Sequence, residues 1–246
     1  MAVMMMAIAG CNKDNENKEA VEVIAVNGDI QAGMDRFRSL LGPLNTGGAA
    51  TDGRREVNWD GVPEDMLGKP LPEDFFNPVG ASAVATRQRG LVYTSRAGTF
   101  AVSKKSFEEV NILAAGSFKA FSGANVFANI SNNLWEVGFQ VPGKALKAGV
   151  AGFGAVFSDV DHNNESYLEL FNESRSLGRF FIPAHNDKST FSFLGIYFKN
   201  GEKITRIEVS HPGSLVSGKA DVSQGGPDDL IVLDDFIYAE PEAQIK

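Results

Sequence analysis

The chain has 246 residues, of which 43% are hydrophobic, so it can bury one sizeable core or two small ones. Its formal net charge is −8, and the basic groups Lys104-Lys105 and Arg54-Arg55 are only pairs. A phosphate-binding face needs clustered Lys and Arg, so we expect no nucleic-acid partner. Phe is abundant, with 18 residues against two Trp and four Tyr. Because Phe has no polar group, most of these rings are predicted to lie in the core.

The N-terminus is mostly apolar and ends in small residues at Gly10, directly before the only cysteine, Cys11. This pattern predicts a signal peptide over residues 1–10 and a polar tether over residues 11–20. A cysteine at the cleavage point resembles the lipobox of bacterial lipoproteins, which implies lipidation of Cys11 and a membrane as partner through that lipid. The absence of a positive n-region points to a start codon placed too far downstream. The alternative is an apolar N-terminus with a chance cysteine.

The stretch before Cys11 is too short for a transmembrane helix, which needs about 20 apolar residues. The residue after the cysteine is Asn12 rather than Asp. Lipoprotein sorting rules then favour the outer membrane or the cell surface. With one cysteine the chain can form no internal disulfide, so the fold must depend on packing.

The remaining chain, residues 21–246, is predicted to be a single domain. Val21–Val26 is a short apolar run that ends at a turn signal. Apolar residues then recur every three or four positions, which predicts a helix over residues 29–42 with Asp29 as its cap. Residues 45–89 are rich in Gly and Pro and are predicted to be long ordered loops, because Pro cannot pair within a central strand.

Ten short runs rich in β-forming residues follow over residues 90–240, separated by Gly, Asn and Ser. This spacing predicts a mainly β chain folded as an antiparallel β-sandwich of jelly-roll type. The runs are Leu91–Thr94, Thr99–Ser103, Val126–Ile130, Leu134–Val141, Ala151–Ser158, Ser166–Phe171, Arg179–Pro183, Phe191–Phe198, Ile204–Ser210 and Asp229–Tyr238.

Eight segments, in order from about residue 33 to 241, resemble a bacterial family of exported proteins and lipoproteins. The family motifs read approximately FRxxLG, GRREINWDGVPD, LPxDFFN, GTxFxVS, FxVPG, GFGAVFxDVD, SFLGVxF and DDFIYGEP. The matching segments are Phe37–Gly42, Gly53–Glu64, Leu71–Asn77, Gly98–Ser103, Phe139–Gly143, Gly152–Asp161, Ser192–Phe198 and Asp234–Pro241. The departures from the motifs are mild: Val57 for Ile, Glu64 for Asp and Ala239 for Gly. The resemblance implies export, and it implies no particular activity.

A candidate calcium site begins at Asp159, Asp161 and Asn163, whose spacing matches the first three ligand positions of an EF-hand. Asn164 and Leu170 replace the Gly and Glu that an EF-hand requires, so the loop is not one. Calcium takes about six to eight oxygen ligands, so other carboxylates must converge on this loop. We expect these further ligands among Asp234, Asp235, Asn58 and Asp60. The last strand, which carries Asp234 and Asp235, resembles that of extracellular jelly-roll domains with a structural calcium ion.

Two alternatives to this calcium site remain open. The segment around Asp159 is also typical of an Asx-rich turn, in which Asp and Asn side chains bond to their own backbone. Asp234 and Asp235 could instead pair with Arg54 or Arg55 and fix the long loop on the sandwich. No zinc or copper site is expected, because the three His residues lack metal-ligand spacing.

A candidate glycan site consists of an aromatic ring with amide and carboxylate groups beside it. The residues concerned are Asn58, Trp59, Asp60 and Trp135. The alternative is that Trp59 anchors its loop in the core. The sequence therefore leaves three functional hypotheses: an extracytoplasmic binding or adhesion module for glycan with a structural calcium, a polysaccharide-acting enzyme, or a structural component of the cell envelope.

Overall fold

The structure is a computed structural model that describes residues 20–185 and 191–244. Within these ranges the chain forms one α-helix, α1 (Gln31–Leu41), and fourteen strands. The strands are β1 (Val21–Gly28), β2 (Arg54–Val57), β3 (Leu91–Thr94), β4 (Phe100–Ser103), β5 (Val126–Asn129), β6 (Leu134–Phe139), β7 (Ala148–Gly149), β8 (Gly152–Ser158), β9 (Tyr167–Asn172), β10 (Arg175–Phe181), β11 (Phe191–Phe198), β12 (Arg206–Ser210), β13 (Val232–Ala239) and β14 (Glu242–Ala243).

Two antiparallel sheets form a β-sandwich, which confirms the predicted fold class. The larger sheet has the strand order β1-β11-β8-β13-β5-β4, and β2 pairs with β13 beside this path. The smaller sheet has the order β10-β9-β12-β6-β3, and β7 pairs with β14 in a short ribbon. In the smaller sheet, strand β6 alternates with the period of two expected when one face is buried: Trp135, Val137 and Phe139 point into the core.

Helix α1 covers the outer face of the larger sheet. Its buried residues Met34, Phe37 and Leu41 recur at three- and four-residue steps, and this apolar stripe packs on β1, β11 and β13. The helix is shorter than predicted, beginning at Gln31, whose N–H is bonded to the Asp29 carboxylate at 3.3 Å. Since both faces of the central strands are covered, every residue of β8 and β13 is buried.

The long segment 45–89 departs from its prediction in one place. Arg54–Val57 was expected to be loop, but it forms β2 and pairs with β13, with Val57 opposite Phe236. A run of four residues with three charges lacks the apolar pattern of a strand, which explains the error. The ten runs predicted from residue 90 onward all contain strands, with boundaries shifted by a few residues.

In the described part of the chain, no helix has the length and apolar character needed to cross a membrane. The predicted signal peptide, the lipidation site Cys11 and the tether up to residue 19 lie outside the described residues. The signal peptide, the lipidation of Cys11 and the tether therefore stay predictions from the sequence.

Candidate metal site and adjoining polar cleft

Three carboxylates meet at one end of the sandwich and form a group that could hold a metal ion. Asp159 follows β8 directly, Asp161 lies two residues later, and Asp221 comes from the loop between β12 and β13. One oxygen of each lies within 4.8 Å of the others. All three are buried, with 2%, 8% and 0% of their surface exposed. These three residues are called the acidic cluster below.

The hydrogen bonds of the acidic cluster leave oxygen atoms unused. Both carboxylate oxygens of Asp221 accept backbone N–H groups, from Leu230 and Ser223, each at 2.7 Å. In contrast, Oδ1 of Asp159 and Oδ2 of Asp161 are buried and accept no hydrogen bond from any residue that the structure describes. Burying a carboxylate oxygen without a compensating partner costs free energy, so these two atoms indicate a place for a cation.

The pKa values of the site reflect the crowding of negative charge. Burial, with the charges of Asp221 and Asp161, raises the pKa of Asp159 to about 8. Burial and Asp221 raise the pKa of Asp161 to about 6. Asp229 stands beside the cluster, accepting the N–H groups of Asp161 at 3.4 Å and His162 at 3.2 Å, and burial raises its pKa to about 7. A bound divalent cation would stabilise the charged form of each carboxylate.

The predicted metal ligands are therefore only partly brought together. Asp159 and Asp161 belong to the cluster, whereas Asn163 is exposed and its Oδ1 accepts the N–H of Ala184, 21 residues away, at 3.3 Å. Asp221 was missed because it lies 60 residues away in sequence, in a turn-rich segment without a motif.

Asp234 and Asp235 lie in β13 and do not join the acidic cluster, which corrects their prediction as metal ligands. Oδ2 of Asp234 accepts the backbone N–H groups of Phe121 at 2.6 Å and Ser122 at 3.1 Å. Both residues fall where the register between β13 and β8 shifts, between Leu233 and Phe236. The register places Val232 opposite Ser158, so Asp234 and Asp235 lie further along β13 from the end of β8 that precedes Asp159.

The alternative pairing of Asp234 and Asp235 with Arg54 or Arg55 is also wrong. Arg55 pairs with Glu240 at 2.7 Å, with both side chains only 1% exposed, and Arg54 pairs with Glu56 at 2.6 Å. Arg54 and Arg55 therefore fix the long loop through Glu56 and Glu240 instead.

The two tryptophans of the predicted glycan site are buried, with 0% and 1% of their surface exposed. Trp59 stacks on Phe127 with ring centroids 3.7 Å apart and donates its indole N–H to the backbone oxygen of Asp234 at 2.9 Å. Trp135 packs edge-on against Phe127. Neither indole presents a face on which a sugar could stack, so the structure agrees with the loop-anchor alternative for Trp59.

Asn58 and Asp60, the polar neighbours of Trp59, lie in different environments. Asp60 Oδ1 accepts the N–H groups of Ala124 at 2.9 Å and Asn125 at 3.2 Å, so it holds the adjoining loop. Asn58 is exposed and lines a polar cleft of about 420 Å³ together with Asp235. One predicted sugar ligand and one predicted metal ligand thus share a cleft distinct from the acidic cluster.

A second, larger groove of about 700 Å³ crosses the outer face of the smaller sheet. Its floor includes Val92 and Gly138, and Glu136 and Arg206 form an ion pair at 2.7 Å along it. Thr94 lies at its edge and is exposed. No sequence pattern predicts this groove, because its residues are spread over six separate segments.

Comparison with models of protein families, with curated proteins and with solved structures finds no match to this chain. A functional conclusion must therefore come from the residues themselves. The acidic cluster offers only carboxylate oxygens, which are hard ligands that suit Ca²⁺, Mg²⁺ or Mn²⁺ better than Zn²⁺ or copper.

Proposed function

We propose that this protein is a calcium-stabilised β-sandwich module that acts outside the cytoplasm and binds glycan through polar groups rather than through its two buried indoles. The observation that carries the calcium part is the acidic cluster, where Asp159 and Asp161 each have a buried oxygen without a partner. Three carboxylates from two segments form an irregular ligand set. Ca²⁺ accepts such flexible geometry and completes its coordination with backbone oxygens and water, whereas Mg²⁺ demands a near-ideal octahedron.

The extracytoplasmic location is supported by Cys11 and by the resemblance to exported proteins. Calcium sites of extracellular modules work at dissociation constants of about 10⁻⁴–10⁻³ M, concentrations found outside cells. Metabolic labelling with a palmitate analogue tests the location. We expect label in the wild-type protein and none in Cys11→Ala, and equal labelling of both would contradict lipidation.

The variant Asp159→Asn tests the calcium site. Asp159 has a positive φ of 68°, a conformation that Asn tolerates well, so the substitution preserves the backbone while removing one charge. Without metal we expect the variant to be more stable than the wild type at pH 8, by about 1 kcal/mol or more, because repulsion is relieved. We also expect it to lose the rise in Tm that CaCl₂ gives the wild type.

The control for this experiment is Asp228→Asn. Asp228 lies beside the cluster but pairs with Lys219 at 3.3 Å. Melting curves with CaCl₂ and with EGTA should show the wild-type calcium response in this control. A wild type whose Tm is the same in both conditions would contradict the calcium proposal.

A further inference from the structure

Three segments that are distant in sequence meet in the polar cleft beside helix α1. The helix contributes Arg38, β2 and the residue after it contribute Glu56 and Asn58, and β13 contributes Asp235. The remaining cleft residues are Leu44, Asn45, Thr46, Arg89 and Ser122.

One wall of the cleft is a fixed set of paired charges. Arg38 donates Nε–H and Nη2–H to the two oxygens of Glu56, both at 3.0 Å, and Arg54 donates to the same carboxylate at 2.6 Å. Burial alone would raise the pKa of Glu56, but the bonds from Arg38 and Arg54 outweigh burial and lower it. The wall is therefore charged and rigid at neutral pH.

The carboxyl group of Asp235 adjoins this wall and is 5% exposed. Ser122 donates its hydroxyl to Oδ1 of Asp235 at 2.5 Å, and Oδ2 lies 3.9 Å from Arg38. Behind it, Asp234 is fully buried and its Oδ1 has no donor. Burial and the charge of Asp235 raise the pKa of Asp234. A buried carboxyl pair behind a cleft is typical of a ligand site.

At the mouth of the cleft, exposed polar groups are available for a ligand. Asn58 and Thr46 are exposed, and their side chains make no hydrogen bond to any residue that the structure describes. Leu44 beside them is 48% exposed and offers an apolar surface. The charges lining the cleft, Arg38 and Arg89 against Glu56 and Asp235, sum to zero.

We propose that this cleft binds one sugar residue of a neutral glycan. The exposed amide of Asn58 and hydroxyl of Thr46 supply donors and acceptors for sugar hydroxyls, Leu44 can contact the C–H face of the ring, and the balanced charge of the walls favours an uncharged ligand. The cleft volume of about 420 Å³ lies within the range of small-molecule sites. This inference rests on the proposed glycan-binding function and assigns its site.

The test uses the whole exported chain and a defined set of probes: glucose, galactose, mannose, xylose and N-acetylglucosamine, with glucuronic acid as a charged probe. Saturation-transfer NMR identifies binding, and calorimetry gives dissociation constants for the sugars that bind. We expect at least one neutral sugar to bind and glucuronic acid to bind more weakly. Preferential binding of glucuronic acid would overturn the neutral-ligand inference.

Matched variants locate the site. Asn58→Ala and Thr46→Ala each remove an exposed side chain without a partner, so both should fold. Thr94→Ala is the control, because Thr94 is an exposed threonine that lines the larger groove instead. We expect at least tenfold weaker sugar binding in the Asn58→Ala/Thr46→Ala double variant and unchanged binding in Thr94→Ala.

The outcomes separate the inference from the proposed function. Sugar binding that the double variant does not weaken would overturn the cleft as its site while leaving glycan binding intact. No binding of any probe to the wild type would contradict the glycan part of the proposed function. The calcium response, measured on the same protein, is independent of both results.

Discussion

The ion pair between Arg55 and Glu240 shows how a single residue fixes a long loop. Besides Glu240, the guanidinium donates to the backbone oxygens of Gly47 at 3.0 Å and Gly48 at 2.6 Å. Glu240 in turn accepts the N–H of Ala50 at 3.0 Å. Residues from a Gly-rich loop with no core of its own are thus tied to the end of β13.

Glu240→Gln tests this role. Removing one partner leaves the Arg55 charge buried and unpaired, which costs about 3–5 kcal/mol. We expect a loss of that size in the free energy of unfolding, measured in urea. The control is Glu202→Gln in the exposed pair with Arg175, where the loss should stay below about 1 kcal/mol. Equal, small losses in both variants would contradict the structural role of Arg55.

Sequence alone could not predict which carboxylate pairs with Arg55, because Glu240 lies 185 residues away. The charge of Asp234-Asp235 made these residues the obvious candidates. Pairing of β2 with β13, however, places Arg55 opposite Tyr238, close to Glu240 and four residues beyond Asp234. Only the strand register decides which carboxylate an arginine can reach.

At the scale of elements, helix α1 packs on the larger sheet over two glycines that lie opposite each other. Gly154 of β8 pairs with Gly195 of β11. A Cβ built at Gly154 would lie 2.9 Å from a ring carbon of Phe37, and one at Gly195 would lie 2.8 Å from the same ring. The two glycines therefore allow the helix to approach the sheet closely.

Gly154→Ala should weaken this contact. The added methyl group overlaps Phe37 and Phe193, and overpacking of this kind costs about 1–3 kcal/mol. Chemical denaturation measures the loss. Gly61→Ala serves as the control, because a Cβ at Gly61 meets no atom within 4 Å. A Gly154→Ala protein as stable as the wild type would contradict the close approach of helix and sheet.

At the scale of the whole molecule, the acidic cluster gives the stability of the metal-free protein an unusual dependence on pH. The pKa values of Asp159 and Asp229 rise from 3.8 to about 8 and about 7. The metal-free folded protein therefore holds more protons than the unfolded chain up to about pH 8, and its stability falls as pH rises. The buried His211 acts in the opposite direction: burial lowers its pKa to about 4, so it destabilises the fold as pH drops below 6.5.

Calcium should reverse the trend between pH 6.5 and 8, where His211 is neutral in the folded protein and at most half protonated in the unfolded chain. Calcium binds the deprotonated carboxylates, so its stabilising effect should grow with pH. We expect the difference in Tm between CaCl₂ and EGTA to be larger at pH 8 than at pH 6.5, and Tm in EGTA to fall over the same interval. A calcium effect that is the same at both pH values would contradict this linkage.

The sequence by itself determined the fold class, helix α1 and the position of the strands from residue 90 onward, because these follow from local periodicity and turn residues. It also identified Asp159 and Asp161, since their spacing is local. The tertiary structure decided what lies far apart in the chain: that Asp221 completes the acidic cluster, that Asp235 and Asn58 share a cleft, and that both indoles are buried. Such placements depend on strand register and on the packing of long loops, which no local pattern encodes.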